Sequence, residues 1–441
     1  MSAAAEAFAE RSVPERGLLP AAVRVELGKV SRQLAPRILV GLCALAPLAF
    51  ALVMRLHAAV PADTLFGRWA GTTGTAAALT VLGFAGSLGL PFVAGILSGD
   101  VFAAEDRYGT WQTILTRSCT RGQLFVAKTA AAGAVTTLAV AVAAVSSLVA
   151  SLVLVGAGPL VGLSGQLVPA GRASELVLAS WGFTVLPTLA YVALGLLLSI
   201  ATRSGIVGVL GPPVVALLTQ LLALLGPGEI VRHVLPSTPF DAWHTLLTSS
   251  PSAQPLLAGA LNSVAYIALF LSAGWLIMRR RVFAGADALD EHPWRAPARA
   301  AAAIGAAVGV LIAGSGVGPT GITADRVQAA VGSTFERLVV LQYRWRTHTQ
   351  PQNAAPQLRS SCQRTGHGSA NDGAGDDWSC VLHIVHPQAA APIGLEVTVR
   401  ANGCYTADAP PGIVGPRQIR DVRGRTFTNP LYAFDGCLPT L

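Results

Sequence analysis

The sequence predicts an all-α polytopic membrane protein that ends in a small α+β domain. Hydrophobic residues make up 52% of the 441 residues and charged residues only 12%, about half the charged share of a soluble protein. The few charges cluster, so long uncharged apolar runs lie between them. Past residue 321 the chain turns polar and holds four of its six cysteines. This composition excludes a disordered chain, a coiled coil and a purely cytosolic enzyme.

Seven uncharged apolar runs are long enough to cross a bilayer, which takes roughly 20 residues as a helix. They lie near Ile38–Met54, Gly74–Ser98, Thr129–Val155, Leu176–Ala201, Gly205–Leu225, Leu256–Met278 and Ala300–Val317. Residues 1–37 carry six basic residues and no apolar stretch. We therefore expect the first span to act as a signal anchor rather than as a cleaved signal peptide.

The distribution of Lys and Arg predicts a cytoplasmic N-terminus in the cell membrane. In that orientation the cytoplasmic segments, including the linker 279–299, carry 16 basic residues, whereas the short external loops carry four. Long segments cross the membrane regardless of their charge, so the basic residues of the C-terminal tail carry little weight in this comparison. With a seventh span at 300–318, residues 319–441 lie outside the cell. The basic surplus is thus a topology signal, and we expect no nucleic-acid partner.

The tail cysteines predict two disulfides in an oxidising compartment. Cys362, Cys380, Cys404 and Cys437 form an even set in a short segment, which is typical of extracytoplasmic domains. Four cysteines allow three pairings, and sequence proximity favours Cys362–Cys380 with Cys404–Cys437. A zinc site is the competing use, but no C-x-x-C pair is present.

The rest of the tail contains one helical pattern followed by two strand patterns. Asp325–Gln342 carries an amphipathic stripe, and Trp378–His386 and Ile393–Arg400 alternate as strands do. His383 and His386 fall on opposite faces of their strand, because their spacing is odd. We therefore expect no metal site there.

Neither a nucleotide site nor another cofactor is expected. Gly122–Thr129 nearly matches a phosphate-binding loop, but Ala127 replaces the second glycine and a membrane span follows. The spans carry no charged residue, whereas transporters driven by ion gradients usually keep one there. If the protein moves a solute, the energy comes from another chain.

The loop between the second and third spans is the most informative segment. It predicts a short helix, a break at Gly109, and a second helix capped by Thr110. Trp111, Ile114 and Leu115 then form an apolar stripe. Such a helix lies on the lipid interface, docks into a partner's groove, or is a solvated connector.

This loop resembles the first cytoplasmic loop of ABC-2 type transporter permeases. The matching features are Glu105, Gly109, Thr110, Ile114, Leu115, the turn Ser118–Arg121 and Lys128. The loop departs from the family pattern at Ser118, where Pro is usual, and at Thr120, where Ser is usual. The stretch Arg24–Gln33 resembles the family's amphipathic elbow helix, and residues 38–278 match its six-span core.

The resemblance implies a permease subunit of an ATP-driven exporter that has no nucleotide site of its own and is not an enzyme. A separate ABC ATPase and a second permease copy or homologue would be its partners. The coupling loop 99–128 would contact the ATPase through the following residues: Glu105, Gly109, Thr110, Trp111, Leu115, Arg121 and Lys128. Trp111 and Leu115 would be buried in the partner, with Glu105 and Arg121 at the rim.

Two other functions remain open from the sequence. The chain could be a non-transporting membrane scaffold that displays its external domain, or a polytopic membrane enzyme. The lack of clustered His, Asp or Glu near the span ends disfavours the enzyme.

Overall fold

Most of the apolar runs form long helices in the computed structural model. It describes residues 18–56, 64–117, 120–224, 234–281, 321–350, 357–365, 371–385 and 392–438. The described helices are α1 (Leu18–Arg32), α2 (Leu34–Leu56), α3 (Gly74–Phe84), α4 (Leu90–Ser98), α5 (Ala103–Arg107), α6 (Trp111–Arg117), α7 (Arg121–Leu154), α8 (Ala170–Thr202), α9 (Gly205–Leu224), α10 (Ala253–Arg280), α11 (Ala324–Thr347) and α12 (Pro411–Val414). Of these, α2, α7, α8, α9 and α10 are long and apolar enough to cross a membrane.

The second predicted span is helical along its whole length but changes its winding in the middle. A π-helical segment, Ala85–Gly89, joins α3 to α4. On α4, a Cβ atom at Gly95 would collide with the backbone of Val209 on α9. Glycine therefore lets these two helices approach closely. The predicted seventh span, at 300–318, and the linker at 279–299 beyond Arg281 lie outside the described residues.

The described helices pack around α8. This helix contacts α4, α7, α9 and α10, and most of its apolar window is buried. By contrast, α2 exposes large apolar side chains such as Leu42, Leu45 and Leu52. Lipid would cover such side chains in a membrane.

The C-terminal region is an α+β domain, as the sequence predicts. Its described strands, numbered after the small hairpin β1 (Leu160–Val161) and β2 (Leu167–Val168), are β3 (Leu358–Arg364), β4 (Gly375–Ile384), β5 (Ile393–Val399), β6 (Cys404–Asp408), β7 (Gln418–Arg420), β8 (Thr426–Thr428) and β9 (Ala433–Cys437). Strands β3, β4, β5, β6 and β9 form an antiparallel sheet in that order. Helix α11 packs on this sheet through residues such as Phe335, which contacts Phe434 of β9.

Both disulfides of this domain join neighbouring strands. Cys362 of β3 is opposite and bonded to Cys380 of β4. Cys404 of β6 is likewise bonded to Cys437 of β9. This is the pairing that sequence proximity favours.

The domain is docked on the segments that connect the helices at one end of the bundle. Arg68 donates two hydrogen bonds to the Asp408 carboxylate, at 2.7 and 2.9 Å. The Phe66 N–H donates to Asp435, and the Cys437 N–H donates to the Leu163 carbonyl. The domain therefore lies at the end of α7 where Leu154 is, whereas α5 and α6 lie at the end where α7 begins.

Candidate coupling site

The loop before α7 folds into two short helices around a sharp turn. Helix α5 ends in front of Gly109, whose φ of 64° lies in the left-handed region that glycine adopts most readily. Helix α6 starts after Thr110. The Thr110 hydroxyl donates to the Glu105 carboxylate, and the Thr110 N–H donates to the Glu105 carbonyl at 3.1 Å. The break at Gly109 is as predicted. Thr110 directly precedes α6, where its carbonyl accepts from the Ile114 N–H at 3.1 Å, while its hydroxyl binds α5.

Trp111 packs inside the chain rather than facing outward. Its side chain is 5% exposed and stacks on Phe102, with ring centroids 6.3 Å apart. Phe102 in turn stacks on Phe125 of α7, which contacts Trp275 of α10. The Trp111 indole N–H donates to Asp106 at 2.9 Å. The apolar stripe, which also includes the half-buried Ile114 and Leu115, therefore holds the loop onto the bundle.

An ionic cluster, buried except for the half-exposed Lys29, joins the elbow helix, the loop and the third predicted span. Lys128 Nζ lies 2.8 Å from Glu105 Oε1 and 3.2 Å from Glu26 Oε2. Lys29 Nζ lies 2.9 Å from Glu26 and 3.5 Å from Glu105. We call these four residues the ionic cluster. Its two acids and two bases give the cluster no net charge. Its ion pairs connect α1 with both α5 and α7.

The position of Glu105 differs from the expectation that it would lie at an exposed rim. Its side chain is only 12% exposed. Burial alone would raise the pKa of Glu105, but Lys128, Thr110 and Lys29 together hold that pKa below its ordinary value. Burial would likewise lower the pKa of Lys29, yet Glu26 and Glu105 raise it. Glu105 and Lys29 are therefore both charged at neutral pH.

Sequence reasoning identified Glu105 and Lys128 but not their partners. No sequence pattern predicts Glu26 or Lys29 as part of a site, and both lie within the stretch Arg24–Gln33 that resembles the elbow helix. A signal was present, because Lys29 and Lys128 are the only two lysines in a chain whose other basic residues are arginine. Lysine is a compact charge on a flexible stem, so it suits a crowded two-carboxylate site.

A second set of contacts ties the loop to the end of α10. Asp106 forms an ion pair with Arg281, whose guanidinium lies 5.7 Å from the Trp111 ring. Arg121 remains exposed and donates to the Arg279 carbonyl at 3.0 Å. The loop thus contacts both α7 and α10.

The outward surface of the loop is its tip rather than its apolar stripe. Tyr108 is 71% exposed, and Arg107, Gly109, Gln112 and Thr113 are exposed beside it. Arg107 is held in place by Asp100, which accepts from its guanidinium at 2.7 Å. We call residues 107–113 the loop tip, with Trp111 as its buried anchor.

Comparison with protein families agrees with this architecture. Residues 22–222 match the model of a family described as ABC-2 family transporter protein. The match starts in α1, ends in α9 and includes the whole ionic cluster and the loop tip. No curated protein matches the chain.

The region from the elbow helix to α9 therefore belongs to the ABC-2 transporter family, as the sequence resemblance implied. The chain is a multi-pass membrane protein with a permease role. Helix α10 and the C-terminal domain lie outside the match.

Proposed function

We propose that this chain is the membrane subunit of an ATP-driven ABC-2 exporter in the cell membrane. A separate ATPase would bind the loop tip from the cytoplasm, and a second permease copy or homologue would complete the path. The observation that carries this proposal is the ionic cluster, because it fixes an exposed loop tip to three helices at once.

The arrangement suits the transmission of a movement. Helices α5 and α6 are short, and the stacked side chains Trp111, Phe102 and Phe125 connect them to α7. Packed interiors deform little, so a displacement of the tip would carry the ends of α7 and α10 with it. A solvated connector would not need this buried network behind it.

The partner contact falls on the loop tip rather than on Trp111 and Leu115. Exposed Tyr108 offers an aromatic ring with a polar edge, the type of side chain enriched at protein interfaces. Trp111 would act indirectly, because it holds the tip in position.

The test is to purify the chain with its natural partners in mild detergent and to measure ATP hydrolysis in the complex. Tyr108→Ala should reduce the co-purified ATPase activity at least several-fold without changing the melting temperature, because the side chain is exposed. Tyr343→Ala is the matched control, since Tyr343 is also exposed but lies on α11 of the C-terminal domain. Wild-type chain that purifies without any ATPase would contradict the proposal and favour a scaffold.

The proposed orientation has its own test. Membrane-impermeant thiol reagents on intact cells should label the four domain cysteines only after reduction, and should not reach Cys119. Cys119 lies outside the described residues, in the predicted cytoplasmic loop. Labelling of Cys119 from outside the cell would show that the topology is inverted.

A further inference from the structure

A cavity of about 720 Å³ lies where the C-terminal domain meets the membrane helices. One wall is the segment 238–252, and a second is the start of α10 as far as Asn262. The third wall comes from α11 and from the disulfide Cys404–Cys437. Its volume lies in the range of small-molecule sites. The coupling site is at the opposite end of the helices, so the proposed contact with an ATPase does not use this cavity.

The lining combines uncharged hydrogen-bonding groups with a larger share of apolar surface. About half of the lining residues carry a hydroxyl or a side-chain amide, among them Ser164, Thr245, Ser250, Gln254 and Asn402. One acid, Asp241, and one base, Arg337, also line it, so they add no net charge. A charged ligand would lose its hydration here without a surplus of opposite charge, which favours an uncharged one.

His244 is a buried member of the lining whose ring packs against Trp243. Its side chain lines the cavity and is 8% exposed. No hydrogen bond reaches its Nδ1 atom from the described residues. Burial, aided by Arg400, lowers the pKa of His244 to about 3, so the imidazole is neutral at neutral pH. A neutral imidazole adds no charge to the lining of the cavity.

The cavity is formed in advance, because hydrogen bonds hold its rim and one of them joins the domain to the bundle. Arg337 of α11 donates to the Ser249 hydroxyl at 3.1 Å and to the Ser333 carbonyl at 3.1 Å. The Ser249 N–H donates to the Ser164 hydroxyl at 3.2 Å. A preformed site spares a ligand the cost of ordering these segments.

We propose that this cavity binds an uncharged, hydroxyl-rich organic molecule of the class of a sugar or the sugar headgroup of a glycolipid. Both sources fit the position of the cavity, since one wall is formed by the domain and another runs along α10. A free sugar would enter from solution, and a glycolipid headgroup would enter from the neighbouring membrane surface.

The test uses the full chain in phosphatidylcholine nanodiscs with two probes. Maltose is titrated in solution and followed by saturation-transfer NMR. Monoglucosyl diacylglycerol is added to the nanodisc lipid, and its retention by the protein is measured by native mass spectrometry. Saturable binding of maltose identifies a soluble sugar, and selective retention of the glycolipid identifies a membrane headgroup.

Variants at the rim show whether binding occurs in this cavity. Ser250→Trp fills the opening from an exposed position and should weaken binding at least roughly tenfold, the factor that 1.4 kcal/mol represents. Gln254→Trp does the same from α10, in case Ser250→Trp does not fold. Ser361→Trp is the matched control, because Ser361 is exposed on β3 and does not line the cavity. The proposal is overturned if neither probe binds saturably, or if folded rim variants bind as well as Ser361→Trp.

Discussion

Lys128 lies where α1, α5 and α7 meet, and its side chain is only 3% exposed. Its ammonium contacts the carboxylates of Glu26 and Glu105 and also donates to the Val101 carbonyl at 3.2 Å. Removing one partner of a buried ion pair is costly, because the remaining charge stays buried without compensation. Without Lys128, Lys29 would be the one base of the cluster left to balance the carboxylates of Glu26 and Glu105.

Lys128→Ala should therefore lower the free energy of unfolding by about 3–5 kcal/mol. Arg172→Ala is the matched control, because Arg172 pairs with Glu175 in the open, and it should cost about 1 kcal/mol or less. Thermal or denaturant unfolding of the purified chain measures both. Equal effects of the two substitutions would show that the cluster contributes no more than a surface pair.

Asp435 is the residue from which a pH dependence follows. Burial raises its pKa to about 6, although Arg68 opposes the shift. The folded state therefore binds this proton more tightly than the unfolded state, whose pKa is near 4. The stabilising contribution of the protonated carboxyl is fully present below pH 4 and is lost as the pH rises to about 6.

In unfolding experiments between pH 4 and 6, the contribution of this group should fall by up to about 3 kcal/mol. Asp435→Asn should remove that slope, because the amide keeps the shape and cannot ionise. Asp376→Asn serves as the control, since Asp376 is exposed on β4. An unchanged slope in Asp435→Asn would assign the pH dependence to other groups.

At the scale of elements, the loop between α4 and α7 shows where sequence reasoning succeeded and where it stopped. Local pattern was enough to predict a helix, a break at Gly109 and a second helix. It was not enough to orient Trp111, because Phe102, Phe125 and Trp275 come from three separate elements. An apolar stripe has the same spacing whether it faces a partner or the chain's own core.

Gly109 offers a test of this element that leaves its packing unchanged. Nothing lies within 4 Å of a Cβ atom built there, so Gly109→Ala acts through backbone strain alone. It should cost roughly 1–2 kcal/mol, the penalty of an L-residue in the left-handed region. Gly109→Asn should cost less, because Asn tolerates that conformation. Melting temperatures rank the two, and a larger loss for Asn than for Ala would contradict the turn geometry.

At the scale of the whole molecule, composition and periodicity predicted the long helices and the α+β domain, and sequence proximity favoured the pairing of its cysteines. They did not predict that the domain rests on the bundle. Arg68 and Asp408 are 340 residues apart in sequence, and neither belongs to a local pattern. From the sequence, Arg68 is only one of the four basic residues in the predicted short external loops. In the structure its side chain is 8% exposed and lies between two carboxylates.

Arg68 should be the residue on which docking of the domain depends most. It donates to the Ala407 carbonyl at 3.1 Å and to Asp408, and its Nε lies 3.6 Å from Asp435. Arg68→Ala would leave Asp435 buried without its cation, at a cost of about 3–5 kcal/mol. Hydrogen exchange should then quicken in residues 64–70 and in β6 and β9, while the ionic cluster at the other end keeps its protection. Arg55→Ala is the control, because Arg55 is exposed and donates to the Leu154 carbonyl rather than to the domain. If exchange in β6 and β9 is the same in both variants, the domain is held mainly by its apolar contacts, such as Trp69 with Trp345.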